Sequence, residues 1–210
     1  MKAAALFSGG KDSLYALYLA EKQGVTVDHL ITLITTLSIP SPHAENIEAL
    51  KKIAKSMGKQ LTIVDFKKEN TFIDVLKKLD IDALIAGDIN VEAHLEGLKD
   101  VCSKTGLELL EPIYGKDTTE LFHKIFRLGF KALITGVDLN CMGEEWLGFV
   151  ISEESGMQFL EKIGTIDPLG ENGEFHTLVV ECPLYGKSFK VNSTDNNLAS
   201  NIAYIKVCVE

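Results

Sequence analysis

The sequence has little that would suit a nucleic-acid surface or a disulfide framework. Its 210 residues carry 21 Lys and Arg against 30 Asp and Glu, a net charge of -9. Phosphate backbones are bound by clustered basic side chains, so we expect no DNA partner, and an RNA partner would need a local basic patch. The four cysteines form no C-x-x-C pair, which disfavours zinc and is typical of buried thiols in a reducing cytosol.

Long apolar runs are also missing, which argues against a membrane partner. We expect no leader peptide, because the first apolar run leads directly into a loop of functional type. These features predict a cytoplasmic protein, and a homodimer is compatible with them. Hydrophobic residues make up 46% of the chain, enough for the core of one large domain or two small ones.

The most informative string follows the apolar run at residues 3–7. It reads Ser8, Gly9, Gly10, Lys11, Asp12 and Ser13. A buried strand, two glycines and a helix beginning near Asp12 bring backbone N–H groups, hydroxyls and a lysine to the positive end of a helix dipole, which suits a polyphosphate. Asp12 in such a cradle indicates Mg²⁺, because a bare carboxylate would repel the phosphates. The alternative is a glycine turn that only caps the first helix.

Strand and helix patterns alternate along the first two thirds of the sequence. Strands are predicted at residues 2–7, 27–35, 60–66, 82–86, 107–111 and 132–135, and helices at 12–22, 44–57, 71–79, 91–105 and 117–128. This alternation predicts an α/β fold with a Rossmann-like parallel sheet, which binds ligands at the carboxyl ends of its strands.

The pattern changes after about residue 138. A helix at 153–163 and strands at 177–182, 187–192 and 202–209 predict a smaller α+β portion, in which short sequential strands pair antiparallel. We therefore predict two domains, a nucleotide-binding one over residues 1–138 and a substrate-binding one over 139–210.

A second unusual string lies in this C-terminal portion. It reads Gly170, Glu171, Asn172, Gly173, Glu174, Phe175, His176 and Thr177. Its glycines permit a tight turn that presents neighbouring side chains to a ligand. Glu171 and Glu174 could hold a cationic substrate, bind Mg²⁺ or act as a base for an amine, and His176 could hydrogen-bond a phosphate or carboxyl oxygen. The alternative is a polar hairpin entry with solvated charges.

The first string resembles the PP-loop of the ATP pyrophosphatases, whose pattern Ser-Gly-Gly-x-Asp-Ser matches at 8–10 and 12–13. Both strings together resemble the diphthine–ammonia ligase family over nearly the whole chain. The resemblance implies an adenine nucleotide alpha hydrolase-like PP-loop domain and an ATP-dependent amidation. A carboxylate is adenylated with release of pyrophosphate, and ammonia or an amine then attacks it, leaving AMP. In that family the carboxylate belongs to diphthine on translation elongation factor two.

The resemblance also implies roles for individual residues. Ser8, Gly9, Gly10 and Ser13 would bind the pyrophosphate, Lys11 a phosphate oxygen and Asp12 the Mg²⁺. Glu171, Glu174 and His176 would handle the acceptor, and with Lys11 and Asp12 they form the predicted catalytic set. Adenine is expected around Leu33 and Thr35. The nucleotide site would be completed by residues at the sheet edge, namely His43, Gly87, Asp88 and Gly136.

One stretch departs from the family. After the glycine of the fourth strand, diphthine ligases usually carry a Tyr-Gln-Arg-x-Arg-like run, whereas residues 90–97 here read Asn-Val-Glu-Ala-His-Leu-Glu-Gly. This pattern is similar to a sister branch that also occurs in bacteria, where diphthamide is not made. We therefore expect the ATP chemistry to carry over and the protein substrate to carry over poorly. Two alternatives are a PP-loop tRNA-modifying enzyme and a non-catalytic adenine-nucleotide-binding protein.

Overall fold

The structure, a computed structural model, describes residues 1–34, 42–65 and 71–210. The strands are β1 (Lys2–Leu6), β2 (Thr26–Ile34), β3 (Gln60–Asp65), β4 (Ala83–Ile85), β5 (Glu108–Leu110), β6 (Lys131–Asp138), β7 (Val150–Ile151), β8 (Phe175–Glu181), β9 (Val191–Ala199) and β10 (Ile202–Val209). The helices are α1 (Lys11–Lys22), α2 (Pro42–Glu45), α3 (Ile47–Ser56), α4 (Thr71–Lys78), α5 (Glu92–Thr105), α6 (Thr118–Arg127) and α7 (Glu153–Ile163), with a 3-10 turn at Glu144–Trp146. In these ranges no helix is both long and apolar enough to cross a membrane.

The first sheet is parallel and has the strand order β3-β2-β1-β4-β5. Ala4 of β1 is fully buried, and it pairs with His29 of β2 on one side and with Leu84 of β4 on the other. The strand order changes direction at β1, and the carboxyl ends of β1, β2 and β4 lie at one edge. This confirms the predicted α/β fold with a Rossmann-like sheet, and such an edge is where ligands bind in open parallel sheets.

The second, smaller sheet is antiparallel, with the order β7-β6-β10-β9 and with β8 paired to β6. The prediction that residues 132–135 form a sixth parallel strand was therefore wrong. A strand buried on both faces gives the same continuous apolar run in either kind of sheet, and β6 is buried along almost its whole length. The change of sheet falls between β5 and β6, ahead of the predicted domain boundary at residue 138.

Two predicted elements also changed their bounds. The helix predicted at 44–57 is interrupted at Asn46, whose buried amide donates to Pro42 O and Ile205 O and accepts from Val207 N–H. The strand predicted at 187–192 instead runs as β9 over Val191–Ala199, where the string of asparagines and small polar residues is poor in typical strand formers. In both places contact with β10 decides the local structure. β10 is distant in sequence from Asn46 and directly follows β9.

The two sheets share a hydrophobic core, which fixes the first loop of the chain against the second sheet. Tyr15 of α1 packs edge-on against Phe130 just before β6, with ring centroids 6.1 Å apart. Val179 of β8 donates its backbone N–H to Gly9 O at 2.9 Å. Residues 8–13 therefore touch both the parallel and the antiparallel sheet.

Candidate functional site

The loop that joins β1 to α1 requires glycine at position 9. Gly9 has a φ of +74°, and a Cβ there would collide with the side chains of Leu50 and Leu178. The two serines of the loop face each other, with their Oγ atoms 3.2 Å apart, and Gly10 N–H donates to Ser8 Oγ. The predicted strand, glycine turn and helix start are thus present in order, with hydroxyls and backbone donors at the helix N-terminus.

A cavity of about 410 Å³ opens above this loop, at the carboxyl ends of β1, β2 and β4. Its volume lies within the range of small-molecule and cofactor sites. Among its lining residues are Ser8, Asp12, Ser13, Thr32, Leu33, His43, Gly87, Asp88, His94, Gly170, Glu171, Gly173 and His176. The two sequence strings, separated by more than half of the chain, therefore meet in one cavity. Predicted residue Thr35 lies outside the described residues.

The carboxylate of Asp12 is partly buried, and one of its oxygens has no hydrogen-bond partner among the described residues. Its Oδ2 accepts from Lys11 Nζ at 2.9 Å, while the buried Oδ1 has no hydrogen-bond partner among the described residues. Burial raises the pKa of this carboxyl, and the lysine opposes that rise. An orphaned carboxylate oxygen of this kind fits a cation. Mg²⁺ sites beside phosphates need only one or two protein carboxylates.

Lys11 makes its contacts inside the protein. Only 2% of the residue is exposed, and its ammonium donates to Leu169 O at 2.5 Å as well as to Asp12. The same group lies 5.0 Å from the centre of the Phe175 ring. The predicted contact between Lys11 and a phosphate oxygen is therefore not what this arrangement provides.

Glu171 lines the same cavity as the PP-loop residues Ser8, Asp12 and Ser13. Its Oε1 accepts from the backbone N–H groups of Ile89 and Asn90, both at 3.0 Å, in the loop after β4. Burial raises the pKa of Glu171, with a smaller contribution from the charge of Asp12, and the two backbone N–H groups oppose it. The predicted acceptor carboxylate and the predicted metal carboxylate therefore line one cavity and influence each other electrostatically.

Glu174, by contrast, makes its hydrogen bonds within its own loop. It is 8% exposed, and its two oxygens accept from the backbone N–H and the side-chain amide of Asn172 at 2.9 and 3.0 Å. This carboxylate holds the turn that presents Glu171. The structure gives no support to the predicted contact between Glu174 and an acceptor.

Asp167 is a loop-forming residue that the sequence analysis missed. Its Oδ1 accepts from the backbone N–H groups of Leu169 and Glu171, and its Oδ2 accepts from Thr118 Oγ1 at 2.7 Å. The available signal was the Asp-Pro pair at 167–168, since aspartate before proline favours turn initiation.

Two histidines line the cavity together. Burial lowers the pKa of His176 to about 4, with further contributions from His43 and Lys11. Burial also lowers the pKa of His43, against a hydrogen bond with the backbone of Leu33. Both imidazoles are therefore neutral near pH 7, and a neutral imidazole can accept a proton or a hydrogen bond.

The predicted sheet-edge residues divide into two groups. Gly87 and Asp88 line the cavity. His94, which was not among the predicted site residues, lines it too, and its Nδ1 lies 2.8 Å from Asp88 Oδ1. Gly136 was expected to end a parallel strand, and that expectation was wrong. It lies inside β6, where a Cβ would collide with the Pro42 ring, so packing explains the glycine.

Known proteins resemble this chain at low identity. The diphthine–ammonia ligases of Danio rerio and Homo sapiens are each 23% identical to it, over 99% of this chain and 92% and 89% of their own lengths. That of Schizosaccharomyces pombe is 24% identical over 100% of this chain, which spans only 40% of the yeast protein.

Among solved structures, the U34-tRNA thiolase NcsA from Methanococcus maripaludis superposes with a TM-score of 0.37 at 20% identity. The match covers 61% of this chain and 58% of the thiolase. That superposition is too limited to bear on function.

Family models cover both halves of the chain. The diphthamide synthase N-terminal domain matches residues 1–109, and the diphthamide synthase C-terminal domain matches residues 117–209. The first range contains the PP-loop and the parallel sheet as far as Leu109 of β5, and the second contains the antiparallel sheet and the loop that carries Glu171. The chain therefore belongs to the diphthamide synthase family of enzymes.

Proposed function

We propose that this protein is an ATP-dependent ligase that adenylates a carboxylate and converts it to an amide, with release of pyrophosphate and AMP. The observation that carries the proposal is the meeting of the Ser8–Ser13 loop and the Gly170–Thr177 string in one cavity at the edge of the parallel sheet. The two halves of the chemistry, nucleotide activation and attack by an amine, need adjacent sites, because holding both reactants together lowers the entropic part of the barrier.

The nucleotide would lie along the edge from β1 to β2. Ser8, Ser13 and the backbone N–H groups at the start of α1 are donors for phosphate oxygens, and the helix dipole favours negative charge there. Leu33, at the end of β2, offers an apolar wall for adenine. Asp12 would hold Mg²⁺ through its unpartnered Oδ1, and the ion would neutralise charge on the leaving pyrophosphate.

The acceptor would enter from the side of the C-terminal string. Glu171 lines the same cavity as Asp12, and the charge of Asp12 acts on it, so Glu171 would be near the place where the α-phosphate is activated. Its raised pKa favours proton uptake by the carboxylate, and a group that takes a proton from the attacking amine needs that property. His176 and His43, both neutral near pH 7, can accept hydrogen bonds from the same amine or donate them to a carboxyl oxygen.

Product analysis tests this proposal directly. The protein would be incubated with Mg·ATP, ammonium chloride and a panel of carboxylate acceptors that includes diphthine-bearing elongation factor two, and the nucleotides separated by chromatography. AMP and pyrophosphate in equal amounts support a ligase of the proposed type. ADP would contradict it, and binding of ATP without any turnover, over a panel of carboxylate acceptors and tRNA, would favour the non-catalytic nucleotide-binding alternative.

A further inference from the structure

The loop at residues 167–174 is hydrogen-bonded to three separate parts of the structure, and one of the donors is the lysine of the PP-loop. Thr118 of α6 donates to Asp167, Lys11 of α1 donates to Leu169 O, and the backbone after β4 donates to Glu171. We call this segment the acceptor loop. Lys11 lies 158 residues from Leu169 in sequence, so this contact joins the two family domains directly.

The ammonium of Lys11 makes three contacts inside the protein. It donates to Asp12 Oδ2 and to Leu169 O, and it lies 5.0 Å from the centre of the Phe175 ring. Turning the side chain into the cavity would break all three contacts. It would also leave the Leu169 carbonyl, which belongs to a residue 1% exposed, without this donor, and a buried polar group without a partner is unfavourable.

We propose that Lys11 is a positioning residue, which holds the acceptor loop and the Asp12 carboxylate in place and does not bind phosphate. The inference rests on the proposed function for its catalytic consequence. Its ammonium fixes Oδ2 of Asp12, so that Oδ1 is the oxygen left for a cation. Its bond to Leu169 O fixes the turn two residues before Glu171. One side chain thus sets the distance between the nucleotide side and the acceptor side of the cavity.

The test compares Lys11→Met with Lys22→Met, the same change at the exposed end of the same helix. Methionine is unbranched and similar in length to lysine, so it can fill the same buried space without the positive charge. One readout is hydrogen exchange of the amides at 169–173, which are bonded within the acceptor loop. The other is the dissociation constant of metal-free α,β-methylene-ATP in EDTA by calorimetry, which needs no turnover and does not depend on a cation at Asp12.

For Lys11→Met we expect exchange in the acceptor loop to rise at least about tenfold, because the loop opens locally more often. We expect the nucleotide dissociation constant to change less than about threefold, since no phosphate contact is lost. Nucleotide binding weakened 30-fold or more, with acceptor-loop exchange unchanged, would overturn the proposal and make Lys11 a phosphate ligand. Lys22→Met should match the wild type in both readouts.

A second variant covers the case in which both readouts change. Thr118→Val removes the hydroxyl that donates to Asp167, so it loosens the acceptor loop from the side of α6 and leaves Lys11 unchanged. Thr119→Val, at the neighbouring exposed position, is its control. If Thr118→Val speeds acceptor-loop exchange and weakens nucleotide binding in the same ratio as Lys11→Met, loop position explains both. If only Lys11→Met weakens binding, the positioning role is refuted. A wild-type protein that binds no nucleotide would refute the proposed function, while the exchange data would still decide the role of Lys11.

Discussion

Glu171 accepts a hydrogen bond from the backbone N–H of Ile89 at 3.0 Å, although 82 residues separate the two in the chain. Ile89 follows β4 in the parallel sheet, and Glu171 belongs to the loop before β8 of the antiparallel sheet. The bond brings a carboxylate from the C-terminal family domain to the edge where a nucleotide would bind. The proposed chemistry depends on this contact between the two family domains.

Replacing Glu171 by Gln should separate acceptor chemistry from nucleotide binding. The amide oxygen of Gln can still accept from Ile89 and Asn90, so the loop should stay in place. The variant cannot take up a proton from the amine, and we expect amide formation to fall about 100-fold or more. Calorimetry should show the Mg·ATP dissociation constant unchanged. Loss of ATP binding, with a wild-type circular dichroism spectrum, would move Glu171 into the metal–nucleotide site.

Asp12→Ala should remove turnover while the fold survives. The substitution deletes the unpartnered Oδ1 and with it the oxygen proposed for Mg²⁺. We expect Mg·ATP affinity to fall about 10-fold or more, and the difference in affinity between ATP with and without Mg²⁺ to disappear. Asp74→Ala, on the exposed side of α4, is the matched control. Normal turnover and unchanged Mg·ATP affinity in Asp12→Ala would contradict the assignment.

Gly87→Ala tests the close approach of the β4 loop to α1. A Cβ at Gly87 would lie 2.8 Å from Ser13 Cα and 2.9 Å from Asp12 O, both backbone atoms that cannot turn aside. We expect the free energy of unfolding to fall by about 1–3 kcal/mol, as for other overpacked sites. Urea unfolding would measure it.

The control for that change is Gly97→Ala in the middle of α5, where a Cβ meets nothing within 4 Å in the described structure. Alanine is the better helix former by about 1 kcal/mol, so this variant should be more stable than the wild type. Opposite signs for the two substitutions are expected. Equal effects would show that the approach of Gly87 to Ser13 is looser than described.

His176 should make the protein less stable in mild acid. Its native pKa is about 4 because the ring is buried, whereas an unfolded histidine titrates near 6.5. Between these values only the unfolded state binds the proton, so the free energy of unfolding falls as the pH falls from about 6.5 to 4, by up to about 3 kcal/mol. His43, with a pKa also lowered by burial, contributes in the same direction.

The measurement is urea unfolding at several pH values for the wild type and for His176→Gln. The variant should show a flatter pH dependence over that window, because it lacks the group that charges on unfolding. Identical slopes for His176→Gln and the wild type would contradict the buried, neutral state of His176.

Diphthine-bearing elongation factor two should be a poor acceptor for this protein. Residues 90–97 lack the tyrosine and the arginines expected after the glycine of the fourth strand, and His94 and Asp88 occupy that side of the cavity instead. The measurement is the rate of amide formation on that protein beside an authentic diphthine–ammonia ligase. A comparable rate would show that the departure at Ala93, Leu95 and Gly97 is harmless.

The PP-loop and its flanking elements could be predicted from sequence because their signals are local. An apolar run, two glycines and an amphipathic helix define the turn at residues 8–13 by backbone geometry alone, and Gly9 at φ +74° agrees with it. The alternation of strands and helices predicted the parallel sheet for the same reason. Each βα unit carries its own periodicity.

The sheet to which β6 belongs and the direction of each charged side chain were decided by tertiary contacts. β6 is apolar along its length, so its sequence fits either sheet, and only pairing with β8 and β10 chose the antiparallel one. Lys11, Glu171 and Glu174 have long side chains that reach several partners. Lys11 donates to a distant carbonyl, Glu171 accepts from two distant N–H groups, and Glu174 accepts from a neighbouring amide. The first two sets of partners lie more than 80 positions away in sequence, so only tertiary packing brings them into contact. The sequence by itself determined which chemical groups are present and which local turns present them, whereas the tertiary structure decided which of those groups share the cavity.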